Sequence, residues 1–268
     1  MNKWSCIFLI LLFVSCETKR INQDEVYQLD IPNGFPSPIF PEENQLTYER
    51  IELGKRLFYD PILSKDGTIS CESCHKQEYA FADNVAISAG NEGRLGFRNS
   101  MSLANIAYHD VLMREGGVPS LEMQALVPIQ DHNEMAFNIL SVAEKLNLDS
   151  TYIQASIRAY NRIPDPYVIT RALASFQRTL LSGNSDYDLN QLNESEQSGK
   201  DLFFSDELGC SSCHGTFLFS NQTTANNGLY EIYQDSGKYR LTHRYEDIGK
   251  FKPLIKLYDR ADIINDIA

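Results

Sequence analysis

The stretch Cys71-Glu-Ser-Cys74-His75, repeated as Cys210-Ser-Ser-Cys213-His214, decides how this sequence is read. At this content of Cys and His, one Cys-x-x-Cys-His is expected by chance roughly 0.002 times, so two carry a strong signal. Cysteines three residues apart on one turn of backbone face the same way and reach both vinyl groups of a single haem. The adjacent histidine then projects over the porphyrin centre and ligates iron. A disulfide across each pair leaves both trailing histidines unexplained. Zinc needs a fourth ligand for each set, or all six residues on one ion. A thioredoxin-like pair needs a βαβ context that is absent here. Cys71, Cys74, Cys210 and Cys213 are therefore read as attachment points, and His75 and His214 as iron ligands, of two covalently bound haem c groups.

The flanks of the two motifs repeat as well. Gly54-Lys-Arg-Leu57-Phe58-Tyr59 precedes the first and Gly199-Lys-Asp-Leu202-Phe203-Phe204 the second. Each reads as a helix end whose aromatic pair faces the haem loop that follows. Asn44 is expected to start the first of these helices, with Ile51, Leu53 and Leu57 on its buried stripe. Asn193, with Glu196 three residues on, reads as a capping box for the second. Pro166 opens a further helix with the stripe Ile169, Leu173, Phe176 and Leu180, ended by Gly183. No sustained period-2 strand is apparent. The expected fold is mostly α: two cytochrome c-like domains, each with one covalently bound haem, the second shortened.

The N-terminus reads as an address. Lys3 is followed by an apolar run from Trp4 to Val14, too short for a bilayer span and suited to a signal-peptide core. It stops at Ser15-Cys16, a lipoprotein-like box that would make Cys16 the lipidated first residue; the alternative is an ordinary signal peptide cleaved nearby. Either way the chain is exported. The expected divisions are residues 1–16 as leader, 17–42 as an extended, Pro-rich tether, 43–188 as the first haem domain and 189–268 as the second. The composition, 43% hydrophobic and 11% aromatic over 268 residues, supports a sizeable core. A net charge of −12 repels phosphate backbones, which excludes nucleic acid as a natural partner and favours a basic protein partner at low salt.

Further segments carry a family resemblance. Leu53-Gly-Lys-Arg-Leu-Phe-Tyr-Asp60, Gly93-Arg-Leu-Gly-Phe-Arg-Asn99, Ser120-Leu-Glu-Met-Gln-Ala-Leu126, Asn133-Glu-Met135 and Ala172-Leu-Ala-Ser-Phe-Gln-Arg-Thr-Leu-Leu-Ser-Gly-Asn184 resemble the diheme cytochrome c peroxidases over residues 45 to about 252. The resemblance implies that the first haem is the peroxide site and the second takes electrons from a small donor cytochrome c on the periplasmic side of a bacterial membrane. It implies Glu134 as distal acid/base and Gln124 as the group that orients peroxide. It also implies one calcium ion, with Asn99 as a ligand, and a homodimer.

Three departures qualify the carry-over. No histidine lies between Lys76 and Asn99, where many family members block the resting peroxide site, so an open first haem is expected; His109 and His132 are the remaining histidines that could occlude it. The family's inter-haem tryptophan falls at Arg114. After Lys252 the match ends and no methionine follows Met135, so the second haem lacks the usual distal Met, and the chain reads as C-terminally truncated. His243, Tyr245 and Tyr258 are the candidate substitutes. The alternatives to a peroxidase are a diheme electron carrier, a protein-modifying diheme oxidase and an inactive remnant.

Overall fold

In a computed structural model, the described residues are 26–222, apart from 97, 111, 114–116 and 216. The leader, Cys16, Arg114, and the segment holding Lys252, His243, Tyr245 and Tyr258 lie outside them.

Helix α1 (Tyr48–Tyr59) begins where Thr47 Oγ1 accepts from the Arg50 N–H, with Glu49 in the first turn and Arg56 in the last, each suited to the helix dipole. The start expected at Asn44 is corrected. Asn44 closes a short 3-10 turn, and its amide is committed to buried partners rather than to a cap. The buried face of α1 is Ile51, Leu53, Gly54, Leu57 and Phe58. It lies on α6 (Pro166–Gln177), which Asp165 caps through the Val168 N–H and Pro166 opens at its first turn. The two backbones meet at Gly54, where a Cβ would fall 1.8 Å from the Ala172 carbonyl oxygen. Only glycine fits that crossing.

Helix α6 ends at Gln177, earlier than the expected Gly183. Gly183 serves another purpose: its bare Cα admits Pro32 and Phe35 of the N-terminal segment. Between these helices, α2 (Leu121–Gln124), α3 (Leu126–Gln130), α4 (Ile139–Leu146) and α5 (Ser150–Tyr160) complete the helical body. Helix α5 is tied to α1 by the Tyr152 hydroxyl on Asp60 (2.6 Å) and by Arg50 Nε on the Ala159 carbonyl (3.2 Å). Among the described residues there is no strand, only isolated bridges such as Val26 with Thr47.

The segment 26–41 is not a free tether. Its prolines hold it extended, but the Tyr27 N–H donates to the Leu46 carbonyl (2.8 Å), and Tyr27, Leu29 and Phe40 pack against the core. The apolar residues between the prolines have core surface to cover, and they cover it. Beyond α6, α7 (Glu194–Phe203) starts at the expected capping box of Asn193 and Glu196, and α8 (Ser211–His214) carries the second motif.

Candidate functional site

The first motif follows α1 through a turn at Pro61–Leu63 and a 3-10 turn at Cys71–Ser73. The His75 N–H donates to the Cys71 carbonyl (2.9 Å), closing one turn that sets both thiols and the imidazole on one side. Nδ1 of His75 lies 2.8 Å from the Phe81 carbonyl oxygen. A carbonyl only accepts, so Nδ1 carries the proton and Nε2 presents its lone pair. Burial lowers the His75 pKa, which favours this neutral, ligating form. Two consecutive left-handed residues, Ala80 (φ 54°) and Phe81 (φ 59°), aim that carbonyl, and the Phe81 ring rests 6.1 Å from Phe58 on α1. Such non-glycine conformations cost about 1–2 kcal/mol each, and persist where the surrounding packing imposes them.

The second motif reproduces this device. The His214 N–H donates to the Cys210 carbonyl (3.0 Å), and His214 Nδ1 lies 3.3 Å from the Phe219 carbonyl oxygen. Leu218 (φ 54°) and Phe219 (φ 51°) form the same left-handed pair, and the Phe219 ring lies 5.5 Å from Phe203 at the end of α7. The repeat thus extends past each histidine to a phenylalanine whose carbonyl orients the ring. The spacing is six residues in one copy and five in the other, which hid it from the sequence reading.

Among the described residues none of the four cysteines is in a disulfide. Burial, with Cys74 close by, pushes the Cys71 thiol up to about 12. A cavity of about 320 Å³ opens beside Cys71, Cys74 and His75. Gln124, Glu134 and His109 reach the same cavity, whose other walls are largely apolar. Among the described residues no three His, Cys, Asp or Glu side chains converge as they would around a bare metal ion. Two thiols and one imidazole spread along an apolar cavity wall suit instead a flat macrocycle attached at its edge and ligated at its centre, so the residues present fit a haem.

Glu134 is half-buried at the cavity wall. Burial, reinforced by the Asp131 carboxylate, raises its pKa from the ordinary 4.5 to about 7. Its backbone is clamped from the 90–94 turn. The Asn91 N–H donates to the Glu134 carbonyl (2.6 Å), and Arg94 Nε donates to the His132 carbonyl (2.8 Å). A Cβ on Gly90 would lie 2.1 Å from the Asn133 carbonyl oxygen, so glycine is required for the turn to close on this loop. Gly90 and Asn91 are positioning residues that sequence reasoning missed; Gly90 carries no motif of its own.

Gln124 ends α2, which Ser120 caps through the Met123 N–H. Two residues before it, Glu122 is buried and accepts both guanidinium nitrogens of Arg178 (2.6 and 3.1 Å) and the Asn44 amide (2.8 Å). This fork holds α2 against the end of α6 and fixes the level at which Gln124 meets the cavity. His109 lines the cavity, whereas His132 is exposed and is held from its carbonyl by Arg94. Asn99 donates its amide to the Val85 carbonyl (2.7 Å), spending its nitrogen on the loop that borders the cavity.

The comparisons with known proteins give the family. The family model for di-haem cytochrome c peroxidase matches residues 48–197. The chain is 36% identical over 231 residues to cytochrome-c peroxidase IdrP1 of Pseudomonas sp. (strain SCT), covering 80% of this chain and 59% of that protein. It is 32% identical over 221 residues to the methylamine utilization protein MauG of Methylorubrum extorquens, with the same two shares. Among solved structures, a MauG-like protein associated with microbial copper homeostasis is 31% identical, with a TM-score of 0.73 over 82% of this chain and 72% of that one. The chain therefore spans somewhat more than half the length of the curated relatives it matches, and it belongs to the di-haem cytochrome c peroxidase family.

Proposed function

We propose that this protein reduces hydrogen peroxide to water with two electrons from a reduced c-type cytochrome or similar carrier, through one haem at each Cys-x-x-Cys-His. The supporting observation is the cavity that holds His75 together with Glu134 and Gln124, the carboxyl raised to about 7. Cys71 and Cys74 would attach a haem and His75 would ligate its iron, and that haem would supply the redox chemistry of peroxide reduction. Glu134 takes the proton from the near oxygen of peroxide and returns it to the far oxygen, which leaves as water. A pKa near neutrality keeps both of its protonation states populated for that exchange. Gln124 orients peroxide through an amide that does not titrate. The overall balance is one H₂O₂, two electrons and two protons to two waters.

His214, Cys210 and Cys213 hold the haem that receives electrons from the donor, in a second cytochrome c-like unit. The leader and Cys16 support export with a lipid anchor on the periplasmic side, and the resemblance supports a homodimer and a calcium ion near Asn99. Among the described residues no helix is long and apolar enough to cross a membrane.

The reading is tested by Glu134→Ala in protein loaded with two haems. A peroxidase loses about 10²–10⁴-fold in peroxide turnover while keeping its rate of electron exchange with a reduced cytochrome. A diheme carrier shows no peroxide turnover to lose.

A further inference from the structure

The loops that follow the two motif histidines differ at two positions. In the first, Lys76 follows His75 and Asp83 stands two residues past Phe81; in the second, Gly215 follows His214 and Asn221 stands two residues past Phe219. The difference has a structural counterpart. Lys76 Nζ donates to Asp83 Oδ1 (2.7 Å), whereas Asn221 Nδ2 donates to the Ser212 carbonyl inside its own motif (3.1 Å). In the first loop His75 Nδ1 lies 2.8 Å from the Phe81 carbonyl oxygen, and in the second the His214–Phe219 separation is 3.3 Å.

The Asp83 side chain is 3% exposed, and both of its oxygens are used. Oδ1 also accepts from the Asn84 N–H (2.8 Å), and Oδ2 accepts from the Ser88 hydroxyl (2.5 Å), which lies 3.0 Å from Ser100 Oγ. A buried carboxylate stays where such partners are met together, because desolvation penalises every geometry that loses one. The main chain closes the same loop. The Lys76 N–H donates to the Ala82 carbonyl (2.9 Å) and the Phe81 N–H to the Lys76 carbonyl (2.8 Å). Asp83 thus locks the base of the 76–83 loop to the segments at Ser88 and Ser100. From the other side, the Ser102 hydroxyl donates to the Ala80 carbonyl (2.5 Å), so the left-handed pair Ala80–Phe81 is held at both ends.

We propose that Asp83 is a positioning residue for His75: its bonds to Lys76, Asn84 and Ser88 hold the Phe81 carbonyl on Nδ1 and so set how strongly the imidazole donates to a haem iron. This rests on the reading of Cys71, Cys74 and His75 as a haem site. A ligating histidine whose Nδ1–H is firmly bonded to an acceptor is a more basic ligand and favours ferric iron. The charge of Asp83 is matched by Lys76, so the effect runs through geometry rather than through the field of the carboxylate.

The experiment is a redox titration of the protein loaded with two haems, followed by absorbance, with haem content measured on every variant. Protein carrying Cys210→Ala and Cys213→Ala loads the first haem alone and assigns its signal. Asp83→Ala is expected to favour the ferrous first haem by about tenfold, or about 59 mV for one electron, with the second haem unmoved. Asp83→Asn keeps an acceptor for Lys76 and a group that bonds Ser88, and is expected to hold the unsubstituted potential. Ser88→Ala leaves the Lys76 pair intact and is expected to shift the first haem in the same direction by less; it guards against failure of the alanine variant at Asp83 to fold. An unmoved first haem in Asp83→Ala and Ser88→Ala would overturn the positioning role alone. A shift in Asp83→Asn as large as that in Asp83→Ala would also overturn it, because charge would then set the potential. Equal shifts at both haems would do the same, by showing a general loosening. Absence of haem at Cys71 and Cys74 in the unsubstituted protein would overturn this role and the peroxidase reading together.

Discussion

The two haem loops are nearly the same local object in two different settings. Each has a helix ending in an aromatic pair, a turn closed by the histidine N–H on the first cysteine's carbonyl, and a left-handed residue pair that turns a phenylalanine carbonyl onto Nδ1. Around the first, Leu57 and Phe58 are buried at 1% and 0% exposure and Gly54 is jammed against α6. Around the second, the equivalent Leu202 is 55% exposed, no residue of α7 is buried, and a Cβ on Gly199 would meet nothing within 4 Å. The two loops thus share their backbone and differ in what packs on them among the described residues. The packing comes from a partner element, which the first copy has in α6 and the second lacks among the described residues. The chemistry divides the same way, since the first loop borders a cavity with a carboxyl poised near neutrality while His214 and Cys213 are exposed.

The largest effect that sharpens this contrast is on turnover. Glu134→Gln should cost about 10²–10⁴-fold in peroxide reduction and leave haem attachment at both loops intact, measured by steady-state kinetics beside haem content. Equal turnover would break the claim that proton work belongs to the first unit. Next comes packing. Leu57→Ala should lose about 2–5 kcal/mol in denaturant unfolding, whereas Leu202→Ala should stay within about 0.5 kcal/mol. Similar losses would mean that α7 is covered after all.

The paired glycines give a smaller effect of opposite sign. Gly54→Ala should destabilise by about 1–3 kcal/mol, because the α1–α6 crossing must open. Gly199→Ala should stabilise by about 0.5–1 kcal/mol through helix propensity. Thermal melts of both variants decide it.

A further effect is on the pH dependence of stability. Glu134 has a folded pKa raised above its unfolded value, so between about pH 4.5 and 7 the native state holds a proton that the unfolded chain has lost. Stability is therefore fully present below that window and falls as pH rises through it, by up to about 3 kcal/mol. The slope should vanish in Glu134→Gln, and a persisting slope would assign it to another group.

Much of this was legible in the sequence because it is written in local chemistry. The Cys-x-x-Cys-His motifs, the capping box at Asn193 and the Pro166 helix start each depend on residues within one or two turns of one another. Helix class was legible too, since 3.6-residue stripes record which face is buried. The parts that escaped are those set by distant neighbours. Asn44 looks like a helix cap, but its amide is drawn into the Glu122–Arg178 cluster more than seventy residues away. The prolines of residues 26–41 suggested a tether, because nothing local shows that Tyr27, Leu29 and Phe40 find core surface. Gly90 could not be read as a positioning residue, because its partner is the backbone of Asn133 and Glu134.

The most direct test of the account is peroxide-dependent oxidation of a reduced c-type cytochrome by the protein loaded with two haems, with no prior reduction step. Rapid turnover from the first mixing is the predicted result, with the cavity beside His75 open to peroxide at Glu134 and Gln124 and His109, on the same cavity wall, leaving the iron free. No turnover, with both haems bound and the donor still able to reduce the protein, would contradict it.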